Sequence, residues 1–147
     1  MRVRGVFVVG LGIVLIAVAA CTSGNPASTL VPTIGTPPST TDTFTGSVAV
    51  GGSDVHGFTL TNGGQINVTL TAAGPPSNVV MGLGIGNVVQ SLTGVTCSLL
   101  TNGTINTAAG TTPQISGTTQ AGSYCVAVYD VGNLSAAISY SVTVVHP

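Results

Sequence analysis

"FTGSVAVGGSDVHGFTLTNGGQINVTLT" occupies residues 44–71, and its apolar side chains recur at every second position. Phe44, Val48 and Val50 share one face of a first run, with Gly46 between them. His56, Phe58 and Leu60 share a face of the second, and Ile66, Val68 and Leu70 a face of the third. A period of two puts successive side chains on opposite sides of an extended backbone, so each run reads as a β-strand. Gly51-Gly52-Ser53 and Asn62-Gly63-Gly64 interrupt the pattern with turn-forming residues. The spacing predicts a hairpin at "TNGGQ" and a pairing of the first two strands through "GGS", hence an N-terminal meander.

The same period continues to the end of the chain. Val79, Met81, Leu83 and Ile85 alternate, as do Val95, Cys97 and Leu99. Tyr124, Val126 and Val128 stand opposite Cys125, Ala127 and Tyr129; Ile138, Tyr140, Val142 and Val144 close the series, and a weaker run surrounds Ile115. Gly74-Pro75-Pro76, Asn102-Gly103 and Gly132-Asn133 mark further turns. No segment has a helical period. About seven or eight short strands in a domain of this size predict an all-β fold, an antiparallel β-sandwich of Greek-key or jelly-roll type over residues 44–147.

Upstream of the strands the composition changes twice. "MRVR" followed by "GVFVVGLGIVLIAVAA" over residues 1–20 has the basic start and apolar centre of a signal peptide. "VAAC" (Val18, Ala19, Ala20, Cys21) follows directly and resembles the lipobox of bacterial lipoproteins. That resemblance implies cleavage before Cys21 and acylation of its thiol and new amine by diacylglyceryl and palmitate-type chains. Two or three chains give a stable membrane anchor. Thr22, in place of Asp, implies the outer membrane where the cell has one. Residues 22–43 are rich in Ser, Thr, Pro and Gly and lack any apolar period, as expected of a tether.

Charge excludes whole classes of function. Charged residues make up 3% of the 147 residues, against about 25% in ordinary domains. The only cations, Arg2 and Arg4, lie in the signal segment, and the acids are Asp42, Asp54 and Asp130. A mature chain without Lys or Arg has nothing with which to displace phosphate counterions, so neither nucleic acid nor a nucleotide is an expected partner. Salt bridges are not expected either, which leaves apolar burial, hydrogen bonds and a disulfide to hold the domain.

The chain has three cysteines. With Cys21 assigned to lipid, Cys97 and Cys125 are expected to form a structural disulfide, since neither has a C-x-x-C partner or a His close in sequence. Among catalytic arrangements only Asp54 and His56 suggest a dyad, two apart on one strand face, and no G-x-S-x-G motif accompanies them. A turn Asp and a half-buried His account for them better. His146, next to the last residue, is expected to fray. A calcium ion takes six to eight oxygens; Asp130 and Asn133 are the best-placed donors, yet a simple turn fits them better. Tyr129 is the one ring expected to face outward and so the one to test for ligand stacking. Asn67, Asn102 and Asn133 lie in N-x-S/T triplets, which a bacterial lipoprotein leaves unmodified.

Two long stretches bear a resemblance to a family. "TGSVAVGGSDVHGFTLTNGGQINVTLTAAG" (45–74) is similar to the opening of bacterial pre-peptidase C-terminal domains. "AGSYCVAVYDVGNLSAAISYSVTV" (121–144) resembles their closing strand pair. The acidic middle strand of that family is replaced here by "NVVMGLGIG", and His56 stands where an aromatic is usual. The resemblance implies a β-sandwich accessory module of exported proteins. Together these readings predict a cell-envelope lipoprotein with a non-catalytic binding module. They call for no cofactor, for membrane contact through Cys21, and for a protein or polysaccharide ligand. A folding or secretion partner of an exported peptidase is the alternative, and a hydrolase using Asp54 and His56 a third.

Overall fold

Side chains that alternate between apolar and polar can bury one face of a sheet, and two such faces close on each other. The computed structural model describes residues 38–91 and 94–147, and within them the chain does this with eight strands and no helix. They are β1 (Thr40–Val48), β2 (Ser53–Leu60), β3 (Gly64–Gly74) and β4 (Met81–Ser91), then β5 (Gly94–Thr107), β6 (Ile115–Thr119), β7 (Gly122–Tyr129) and β8 (Ile138–His146). One sheet has the order β1-β8-β3-β6 and the other β2-β7-β4-β5, all neighbours antiparallel. That is the strand order of a jelly roll, two four-stranded sheets built from interleaved Greek keys. The expected sandwich is therefore the observed one. The signal segment, Cys21 and the tether up to residue 37 lie outside the described residues. β1 takes in Thr40–Thr43, which composition assigned to the tether.

The core is built from inward positions that the alternation marked, but Val50, Val95 and Leu99 are exposed: Val50 lies past the end of β1 and the other two on β5 outside the core. Val48, Val68, Leu70, Val142 and Val144 from the first sheet meet Leu60, Met81, Leu83, Val126 and Val128 from the second, all essentially inaccessible to water. Each such side chain contributes about 1.5–3 kcal/mol by leaving water. Phe58, Tyr124 and Tyr140 join the same core. The outward face of the first sheet is polar. Thr43, Thr143 and Thr69 line up in register across β1, β8 and β3.

The strand pairing differs from the expected meander. β1 pairs with β8 and β2 with β7, so "GGS" carries the chain from one sheet to the other. β2 and β3 likewise lie in different sheets, and "TNGGQ" is a crossing, not a hairpin. The same turn residues serve both purposes. β4 and β5 form the one hairpin among consecutive strands. Asn102-Gly103, read as a turn, lies inside β5. The β4–β5 register jumps there: Gly84 faces Thr104 and Gly86 faces Leu99, with Asn102 at φ 64°. Residues 100–103 thus form a large bulge that bends the hairpin.

Candidate functional site

Asp54 and His56 do share a face of β2, and they meet there a residue that the sequence hid in the core. Tyr140 Oη donates to Asp54 Oδ2 at 2.8 Å. Its single proton being so used, it accepts from His56, whose Nε2 lies 2.7 Å away. Nε2 therefore carries a hydrogen. His56 Nε2 and Asp54 Oδ2 are 3.7 Å apart. Phe44 stacks on the imidazole with centroids 4.9 Å apart and planes 11° from parallel. Gly46 makes the meeting possible. It is the register partner of Tyr140, and a methyl on it would stand 2.7 Å from Tyr140 Oη and closer still to Asp54 Oδ2. Burial raises the Tyr140 pKa well above the usual phenol range, and the hydrogen bond to Asp54 and its charge raise it further. A phenol so held is a poorer acid. Among the described residues no serine or threonine hydroxyl bonds to His56. The cluster joins β2 of one sheet to β8 of the other.

His146 is not frayed. It is 4% exposed, at the end of β8. Nε2 lies 3.0 Å from Asp42 Oδ2, Nδ1 lies 3.0 Å from the Pro147 oxygen, and the ring packs on Phe58 at 5.6 Å. Its partner is 104 residues away in sequence, on β1. Salt bridges are not expected from a mature chain without Lys or Arg, yet each histidine lies beside an aspartate, His146 at 3.0 Å and His56 at 3.7 Å, pairs that carry opposite charges only when the imidazole is protonated.

Asp130 and Asn133 are occupied by the backbone. Asp130 Oδ2 accepts from Gly51 N–H at 2.7 Å. Oδ1 accepts from Gly132, Asn133 and Leu134 N–H at 2.8, 3.0 and 3.2 Å. Asn133 Nδ2 donates to the Val80 carbonyl. The amide of Gly51 does most to hold the Asp130 carboxyl below the ordinary aspartate range; desolvation opposes it, and the amides of Gly132, Asn133 and Leu134 each lower it further. Four N–H donors use the lone pairs that a calcium ion would need. Among the described residues no cluster of three His, Cys, Asp or Glu side chains could hold a metal. Asp130 ties the β1–β2 turn, and Asn133 the β3–β4 loop, to the β7–β8 loop.

Tyr129 leads to a groove on the surface. The outward positions of β4 are Gly82, Gly84 and Gly86, and each is covered by something else. The Tyr129 ring occupies the space a Gly82 side chain would take, Leu99 lies over Gly84, and the Ser98–Leu99 backbone lies directly on Gly86. So β5 does not simply flank β4. From the bulge onward the hairpin folds back over the outer face of its own sheet. Cys97 confirms this: it is disulfide-bonded to Cys125 of β7, Cα to Cα 5.7 Å, although β4 separates the two strands. Strands two places apart in a flat sheet stand about 9.5 Å apart. The expected disulfide is present, and its role is to fasten this arm.

Between arm and sheet runs a groove of about 590 Å3. Ser53, Asp54 and Val55 of β2 and Ala127 and Tyr129 of β7 line one side; Val95, Thr96, Cys97 and Leu99 of the arm line the other. The size suits a small ligand or one unit of a polymer. Sequence reasoning picked out Tyr129 and missed the arm, although "MGLGIG" at residues 81–86 carried the signal, a glycine at every outward position. Compared with known proteins, the chain matches no family model and no curated protein.

Proposed function

We propose that the protein is a cell-envelope lipoprotein, tethered through Cys21, whose jelly-roll domain is a non-catalytic binding module for an uncharged extracellular polymer. The observation that carries this reading is the groove beneath the arm. It combines a half-buried tyrosine ring, the hydroxyl-bearing residues Ser53 and Thr96, small apolar walls and one acidic residue, Asp54, whose carboxylate already accepts from Tyr140 Oη and Val55 N–H. Such a set matches a neutral saccharide, whose ring faces are apolar and whose edge is hydroxyl, better than a charged peptide or a phosphate ester. The lipobox at Val18–Cys21 and the low-complexity tether supply the anchor, and the resemblance to pre-peptidase C-terminal domains supports an accessory role in the envelope. Two experiments test the two halves. Cys21→Ser is expected to release the protein from the membrane fraction or block its processing; an unchanged lipid-anchored product would contradict the anchor. On an array of neutral and charged glycans the protein is expected to be retained on neutral ones. Retention on none, or on charged ones alone, would overturn the binding reading.

A further inference from the structure

We infer that the Cys97–Cys125 disulfide is a clasp that holds the β4–β5 arm over the sheet and so shapes the groove, which makes the groove open and close with the redox state of that bond. The functional part of this inference rests on the binding reading above; the conformational part does not. The main-chain ladder from β4 to β7 ends at Asn87–Tyr124. Beyond it the arm meets the face beneath through side chains, with Val88 against Gly57 and Val95 sharing the grooves on both sides of the arm with Val55. The bulge at residues 100–103 supplies the bend at the base, and Gly86 supplies the close backbone approach. Grooves of about 590 and 430 Å3 flank the arm, so its inner side is incompletely packed. Cys125 is fully buried and Cys97 half-buried, so the sulfur open to attack is that of Cys97.

A dithiol reductant opens the clasp in two balanced steps. Its thiolate attacks Cys97 Sγ, forming a mixed disulfide, and Cys125 leaves as a thiolate that takes up a proton. The reductant's second thiolate then displaces Cys97, which leaves as a thiol once protonated, and the reductant departs as its own disulfide. Two electrons and two protons pass to the protein.

Hydrogen exchange read by mass spectrometry on the full chain tests this, with the oxidised protein compared with the dithiothreitol-reduced protein and with the Cys97→Ser/Cys125→Ser double variant. Amides of residues 94–99 are expected to lose at least tenfold more protection than those of β3 and β8. Nitration of Tyr129 by tetranitromethane is expected to quicken in the double variant, which has no thiol at 97 or 125 for the reagent to oxidise. Equal loss of protection across arm and core, or none in the arm, would overturn the clasp. Neither readout involves a ligand. An arm that opens in a protein retained on no glycan would leave the clasp standing and remove only the binding reading, and glycan binding with an unmoved arm would do the reverse.

Discussion

Cys97 on β5 and Cys125 on β7 stand 5.7 Å apart, Cα to Cα, with β4 between their strands in the sheet order. The bond therefore fastens a folded-back arm to a face, where many sandwiches use a disulfide to join two sheets. It also closes a loop across a sequence separation of 28 residues, which the chain-entropy argument values at about 3–4 kcal/mol. In urea unfolding, the Cys97→Ser/Cys125→Ser protein is expected to fall below the oxidised protein by about that amount. An unchanged midpoint would mean that the arm's strain offsets the entropy.

Gly46 is the gap through which the two sheets exchange hydrogen bonds. Gly46→Ala puts a methyl against Tyr140 Oη and Asp54 Oδ2. Overpacking of this kind costs about 1–3 kcal/mol. The expected result is a lower urea midpoint with an unchanged slope. A neutral substitution would show that Asp54 can leave the cluster freely.

Tyr140→Phe removes the hydroxyl that joins Asp54 to His56, with an expected loss of about 1–2 kcal/mol at neutral pH. The pH dependence has a definite sign. The folded-state pKa of Tyr140 is raised above the ordinary tyrosine value of 10.0, so the stabilisation is complete below that value and declines as pH rises above it. The gap between the native protein and Tyr140→Phe should therefore narrow from about pH 10 upward. A gap that widens there would contradict the cluster.

Asp130 gives the opposite case. Its folded-state pKa is lowered, so what it contributes is present above the ordinary aspartate range and is lost as pH falls through the lowered value. Asp130→Ala is expected to lower the thermal midpoint at pH 7 and to matter progressively less as the solution is acidified below the ordinary aspartate value of 3.8. An equal effect at both ends would mean that the four N–H bonds are not held by charge.

The faces of the strands were legible in the sequence, because burial follows a period of two wherever one side of a sheet is wet. Phe58, Tyr124 and Tyr140 lie in the core as the alternation predicts. The pairing was not legible. Gly51-Gly52 reads as a hairpin turn, yet its geometry is set by Asp130, which accepts from Gly51 N–H and donates its own N–H to the Gly52 carbonyl from the end of β7. Nothing local encodes a partner 79 residues away. His146 was misread for the same reason, since Asp42 lies at the other end of the domain. Tyr129 was legible as an outward ring, but the groove it lines depends on a bulge and on three glycines whose meaning emerges only when the arm lies on them.

The central claim is that the groove under the arm binds a neutral saccharide on Tyr129. The most direct measurement is titration calorimetry of the disulfide-intact protein and of Tyr129→Ala with the neutral glycan best retained on the array. The account predicts an affinity at least tenfold weaker for Tyr129→Ala, with the disulfide and the fold intact. Equal affinity in the two proteins would contradict it.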